Sequence, residues 1–138
     1  NLIGLVEPLG FEICSLRHKA EAVEAIEALG AAGRFRLVHD TFHHTLAQGG
    51  PVFPDHTGLV HISGVVDQSV SLAEMRDGHR VLVTPGDRLG NAAQVAALQA
   101  AGYVGPVSFE AFASSVHALA DPGGALRASM EYLIREAG

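Results

Sequence analysis

The segment Val38-His39-Asp40-Thr41-Phe42-His43-His44 begins with the last residue of a largely apolar run, 35–38. An apolar run of this kind is typical of a strand that is buried on both faces, as in parallel sheets. Asp40 ends the run, and His43 comes three residues later. We therefore predict a buried strand whose C-terminal tip carries side chains suited to metal binding.

Three further apolar segments end in the same way, on an acidic residue or a histidine. They are 2–6 before Glu7, 59–60 before His61, and 107–109 before Glu110. Taken singly, Asp40 is better read as a helix N-cap and His61 as a buried histidine. Taken together, four such strand ends favour a divalent-metal site, because the tips of neighbouring parallel strands meet at one rim. The predicted metal ligands are Glu7, Asp40, His61 and Glu110.

Segments whose apolar residues have helical spacing lie between and after these strands. They cover 17–29, a segment from Asn91 to Gly102, and a last helix that begins at Asp121-Pro122. Asn91 and Gln94 have the spacing of a capping box. The order is strand, helix, strand, short helix, strand, helix, strand, helix, which predicts right-handed parallel crossover units.

Four such units are half of a (β/α)8 barrel, which takes about 200 to 250 residues or more when complete. The predicted fold is therefore α/β, half of a TIM barrel. Either the other half lies outside these 138 residues or another chain supplies it, and we favour the former. Whether the protein forms a homo-oligomer is left open.

The residues between 64 and 90 form a long connection without clear periodicity, which is typical of a lid or a substrate-binding loop. Arg80 in this connection could bind a hydroxyl or an anionic group, or it could be a solvated loop residue. His43 is the preferred substrate-contacting histidine, and His44 is expected to be exposed. The spacing of His39 indicates no site.

Composition excludes several classes of function. The net charge is −6, the pI is about 5.7 and only nine residues are Lys or Arg, so nucleic acid is not an expected partner. No apolar run reaches the roughly 20 residues of a membrane span. Cys14 is the only cysteine, which excludes a disulfide within the chain and favours a cytoplasmic location. Nucleophile-elbow, phosphate-loop and CxxC motifs are absent from the sequence.

Five segments in this order resemble one family, the sugar phosphate isomerases/epimerases, which are TIM barrels related to xylose isomerase. Inosose (2-keto-myo-inositol) isomerase is the branch that the segments resemble most. The resemblance implies that residues 1–138 are the C-terminal half of the barrel domain, strands five to eight. The segments are 6–11, 39–44, 60–63, 80–87 and 102–110.

The resemblance also implies site roles. Glu7, Asp40, His61 and Glu110 would bind one divalent metal ion, Mn, Zn, Mg or Co. Glu7 and Glu110 would act as proton acceptor and donor, and His43 would contact the substrate. Two extra residues, 83–84, and a glycine at position 90 where many relatives have an acid leave the identity of the substrate open.

The hypothesis for the reaction is isomerisation or epimerisation of a sugar or polyol ketone through a metal-bound cis-enediolate. The first alternative is a metal-dependent dehydratase acting on an inosose or dehydroshikimate-type substrate, with Glu12 as the acid. The second alternative is a non-catalytic sugar-binding barrel. A measurement of metal binding would distinguish the two enzyme hypotheses from the non-catalytic barrel.

Overall fold

The protein is built around a four-stranded parallel sheet whose strands lie side by side in chain order. The structure is a computed structural model and describes residues 2–138. The strands are β1 (Gly4–Val6), β2 (Phe35–Asp40), β3 (Thr57–Ile62) and β4 (Val107–Phe109). The four-stranded parallel sheet confirms the prediction of half a (β/α)8 barrel.

Helices α1 to α3 lie between successive strands, and α4 and α5 follow the last strand. Their bounds are α1 (Lys19–Ala28), α2 (Thr41–Leu46), α3 (Asn91–Ala100), α4 (Ser114–His117) and α5 (Pro122–Ala137). The apolar face of α1 packs on Leu37 of β2, and Leu98 of α3 and Leu133 of α5 pack with Val60 of β3. Both contacts follow from the helical spacing of the apolar residues.

The strand register brings the predicted ligands to one edge of the sheet. Asp40 at the end of β2 is the register partner of His61 on β3. The backbone N–H of Glu110 donates to the Ile62 carbonyl over 2.8 Å, so Glu110 lies at the same level. Glu7 follows Val6, which pairs with Leu37. The four predicted ligands therefore lie at one rim of the sheet.

The long connection 64–90 has many exposed residues but is anchored to the rest of the fold by a few buried ones. It contains two short 3-10 turns, Leu72–Glu74 and Asp77–His79, and an antiparallel bridge between Gly64 and Val81. Its buried apolar residues form a cluster with α2, composed of Phe42, Leu46, Val65, Met75 and Leu89. Apolar burial of this kind fixes the course of the connection over the site.

The predicted capping box at α3 is wrong. Gly90 is the N-cap, with a left-handed φ of 69° that favours glycine. The Asn91 side chain donates to the Ser63 carbonyl over 2.7 Å and to Asp87, while Gln94 reaches residues of the β2–α2 region. Tertiary partners have replaced the local cap.

Both edge strands leave apolar side chains partly exposed. Leu5 on β1 and Val107 on β4 are each 44% exposed, whereas Val60 on the central strand β3 is 1% exposed. Edge strands of a half-barrel have this pattern because a closed barrel would pair both of them. None of the helices within 2–138 combines the length and apolar character needed to cross a bilayer.

Candidate metal centre

Four side chains from four different strand ends converge at the rim of the sheet. Each of Glu7, Asp40, His61 and Glu110 offers one ligand atom, and these atoms all lie within 4.8 Å of one another. Two Glu, one Asp and one His form a mixed oxygen and nitrogen donor set that suits Zn²⁺ or Mn²⁺. The structure thus brings together the whole predicted ligand set.

Asp40 is held by the backbone that follows it. It is the N-cap of α2, and its Oδ1 accepts a hydrogen bond from the His43 N–H over 2.9 Å. The carboxylate is 1% exposed. The N-cap interpretation and the ligand interpretation are therefore compatible, because capping uses one oxygen and leaves Oδ2 directed elsewhere.

His61 and Glu7 have polar atoms without hydrogen-bond partners among residues 2–138. His61 Nδ1 lies 3.2 Å from Glu110 Oε1 and 3.6 Å from Glu7 Oε1. Neither approach has hydrogen-bond geometry, so His61 Nδ1 and Glu7 Oε1 are both buried and unpaired. An unpaired buried polar atom is costly, on the order of 1–3 kcal/mol, and a cation bound between these atoms would remove that cost. The residues therefore fit a divalent ion.

The electrostatics of the cluster also favour a cation. Burial raises the pKa of Glu7 to about 7, and the neighbouring carboxylates of Asp40 and Glu110 act in the same direction. Mutual repulsion of this kind arises where carboxylates converge without enough positive charge between them.

Arg80 lies directly behind the carboxylates and is 1% exposed. Its Nη2 donates to Asp40 Oδ2 over 2.5 Å and to Glu110 Oε2 over 2.8 Å. Its Nε donates to Ser63 Oγ over 2.9 Å. This burial excludes the expectation of a solvated loop arginine, and the anionic groups that Arg80 binds are the protein's own carboxylates.

His43 is also buried, and its ring is oriented by a backbone contact. The Gly10 N–H donates to His43 Nδ1 over 3.3 Å, which leaves the proton of the neutral ring on Nε2. Burial lowers the pKa of His43 to about 4, and Arg80 acts in the same direction. A Cβ at Gly10 would lie 2.1 Å from the His43 carbonyl oxygen, so only glycine permits this approach. His43 is thus a neutral hydrogen-bond donor.

A cavity of about 420 Å³ opens above the cluster. Glu7, His43, Arg80 and Glu110 contribute to its lining, and Glu12 is an exposed residue of the β1–α1 loop outside it. Sequence reasoning missed three residues here: Ser63 and Asp77, which bind Arg80, and Phe112, which lines the mouth. Their positions depend on the course of the loops, for which the sequence carries no periodic signal.

Comparisons with known proteins identify the family. The xylose isomerase-like TIM barrel family matches residues 1–136. No curated protein matches the chain significantly. A xylose isomerase domain containing protein from Salmonella typhimurium is 31% identical with a TM-score of 0.85, and the match covers 98% of this chain and 50% of that one.

Two more solved structures are similar over nearly the whole chain. A xylose isomerase domain protein from Alicyclobacillus acidocaldarius is 25% identical, with a TM-score of 0.73 and coverage of 99% of this chain and 51% of that chain. The IolI protein, solved with a bound zinc atom, is 20% identical, with a TM-score of 0.79 and coverage of 99% and 49%.

The chain spans about half the length of these solved structures. Half the length agrees with four of the eight strands of a barrel. The family resemblance inferred from the sequence motifs is confirmed by the family match and by the fold. This chain belongs to the xylose isomerase-like TIM barrel family.

Proposed function

We propose that this chain is the C-terminal half of a divalent-metal-dependent isomerase or epimerase that acts on a sugar or a keto-inositol. The observation that carries the proposal is the convergence of four ligand atoms within 4.8 Å at the C-terminal rim of a parallel sheet. In barrels of this architecture, active sites lie at that rim. The other half of the barrel would complete the wall of the substrate cavity.

Glu7, Asp40, His61 and Glu110 would hold one ion, Zn, Mn, Mg or Co. A bound divalent ion supplies polarisation of a carbonyl oxygen and acidifies the adjacent C–H bond. Glu7 and Glu110 each keep a carboxylate at the cavity and are the candidate groups for proton transfer. One would take the proton from carbon, which yields a cis-enediolate, and the other would return a proton.

His43 would orient the substrate. Its Nε2–H is the free donor because Nδ1 already accepts from Gly10. A neutral imidazole can donate to a substrate hydroxyl or carbonyl oxygen without adding charge to the site. The zinc in IolI supports the metal proposal at the level of the fold. An inosose is the first substrate to test.

Metal binding is the first experiment. The metal-free complete protein is titrated with Zn²⁺ and with Mn²⁺ in a calorimeter, and we expect one ion per chain. Asp40→Asn should weaken binding by about 10- to 100-fold or more, because an anionic ligand becomes a neutral amide. Asp55→Asn, the same change at an exposed position, is the control and should leave the affinity unchanged. Absence of binding to the wild-type protein would contradict the proposal.

Solvent exchange is the second experiment, and it separates the candidate reactions. An enolising isomerase or epimerase incubated with inosose in D₂O should introduce deuterium next to the carbonyl, which NMR detects. A dehydratase should release water and form a new unsaturated product. Glu12→Gln should leave exchange unchanged, since Glu12 is exposed outside the cavity. Loss of activity in that variant would favour the dehydratase instead.

A further inference from the structure

All three guanidinium nitrogens of Arg80 contact side chains of the protein itself. Besides Ser63, Asp40 and Glu110, its Nη1 contacts Asp77 Oδ1 over 3.3 Å. Its Cζ also lies over two aromatic rings, 4.9 Å from the centroid of Phe42 and 5.0 Å from that of Phe112. A guanidinium bonded through all three nitrogens and packed on two aromatic rings is held in one orientation.

The charges around the proposed ion balance only when Arg80 is included. Three ionised carboxylates contribute three negative charges, and a divalent cation supplies two positive ones. Arg80 supplies the third from a position in contact with Asp40 and Glu110. Buried charges are tolerated when they are paired and hydrogen-bonded.

The geometry points to Arg80 as a positioning residue for the metal ligands, one that acts through Asp40 and Glu110. Its Nη2 bridges Asp40 Oδ2 and Glu110 Oε2, so one nitrogen fixes the rotation of two carboxylates from different strands. Groups that orient metal ligands typically contribute about 10- to 100-fold to metal affinity. This inference rests on the metal centre proposed above.

The length of the connection 64–90 then has a physical reason. The connection carries Arg80 back to the rim, where the Gly64–Val81 bridge and the hydrogen bond from the Ala113 N–H to the Arg80 carbonyl anchor it. Met75 and Val65 bury the same connection against α2. A flexible lid would not hold a guanidinium in so many simultaneous contacts.

The test measures metal affinity in the folded, complete protein. Arg80→Lys keeps the positive charge but cannot bridge two carboxylates while also donating to Ser63 and Asp77. Arg80→Met removes the charge as well. We expect the dissociation constants for Zn²⁺ and Mn²⁺ to rise at least about 10-fold in both variants. Circular dichroism verifies that each variant is folded.

The matched control is Arg88→Met, in the same connection. Arg88 donates to the carbonyls of Asp67 and Val70 and contacts none of the four ligands. It should lower the unfolding temperature without changing the metal affinity. A merely structural role for Arg80 predicts that its variants behave like Arg88→Met. Should neither Arg80 variant fold, Ser63→Ala, which releases only the Nε contact, should still weaken metal binding measurably.

Each possible outcome either supports the positioning role or overturns it. Weaker binding in Arg80→Lys with an unchanged Arg88→Met supports the positioning role. An Arg80→Lys protein with wild-type affinity, tighter binding in either Arg80 variant, or a Ser63→Ala protein with wild-type affinity when the Arg80 variants are unfolded would overturn it. A wild-type protein that binds no divalent ion would overturn the metal centre itself, and the inference with it.

Discussion

Two polar clusters lie on opposite faces of β2 and include its adjacent residues His39 and Asp40. Asp40 faces the strand-tip cluster with Glu7, His61 and Glu110, whereas His39 faces the helices. Alternate residues of a strand point to opposite faces, so adjacent positions serve different environments. Asp40 and His39 are both buried, whereas Glu7, His61 and Glu110 are partly exposed. The two clusters also differ in how like charges are balanced within them.

In the helix-side cluster, Lys19, His39 and Gln94 hydrogen-bond to one another, while the buried Nδ1 of the neighbouring His44 has no partner among the described residues. Gln94 Nε2 donates to the Leu89 carbonyl over 2.9 Å, so Gln94 Oε1 faces His39 and accepts from its Nε2 over 2.9 Å. His39 Nδ1 is then the acceptor for Lys19 Nζ at 2.6 Å. Burial lowers the pKa of His39 to about 3 and that of Lys19 to about 7. These residues connect α1, β2 and α3 by side-chain hydrogen bonds.

The strand-tip cluster is incomplete without a cation. His61 Nδ1 and Glu7 Oε1 have no hydrogen-bond partner in the described part of the chain, and of the three carboxylates only Asp40 and Glu110 contact Arg80. The contrast teaches that burial of polar groups alone does not identify a site. Convergent donors with unsatisfied atoms and excess charge of one sign indicate a ligand, whereas a satisfied network indicates a structural role.

The largest expected effect is on the strand-tip side. Glu110→Gln keeps the shape of the side chain but removes a candidate proton-transfer group and a negative ligand. We expect turnover of the proposed ketone substrate to fall roughly 10²- to 10⁴-fold, the usual contribution of a general acid or base. Steady-state kinetics on the complete protein measures it. Glu131→Gln, an exposed change on α5, is the control, and equal rates in the two variants would remove Glu110 from the chemistry.

Next in size is a pH effect on the helix side. Because the pKa of Lys19 is lowered from 10.5 to about 7 by burial, the unfolded chain binds more protons than the folded one between those values. Folding stability from this group therefore rises with pH across that window, and the cost of burying the charge is present in full below pH 7. Lys19→Met should remove this pH dependence, which amounts to a change on the order of a few kcal/mol in the free energy of unfolding across the window.

Urea unfolding of wild type and Lys19→Met at several pH values between about 6 and 10 measures that difference. The free energies of the two proteins should diverge most at the acidic end and approach each other at the alkaline end. A constant difference across the range would show that Lys19 titrates at its ordinary pKa.

The smallest expected effect is on the free energy of unfolding, and it tests whether the two clusters are independent. Gln94→Leu leaves the His39 Nε2–H without its acceptor, and His39 is fully buried. We expect a loss of about 1–3 kcal/mol in the free energy of unfolding. Metal affinity should stay within about twofold of wild type, since Gln94 contacts none of the four ligands. A large change in affinity would mean that the two clusters are coupled through β2.

Residue types at strand ends made the ligand set predictable from local sequence. Glu7, Asp40, His61 and Glu110 each directly follow or end an apolar strand segment, which is a signal carried by neighbouring residues. The expectation for His44 was wrong, because its ring is half-buried at 4.7 Å from that of His39. The capping box at Asn91 failed for a similar reason, since a distant carbonyl competes successfully with the local cap.

The sequence by itself determined the parallel α/β half-barrel and the convergence of four ligand-type side chains, because strand and helix periodicities and the direction of parallel strands are properties of neighbouring residues. Only the tertiary structure decided the roles of Arg80 and His39. Each depends on partners 20 to 55 residues away in the chain, and the partner sets whether a buried polar group is satisfied.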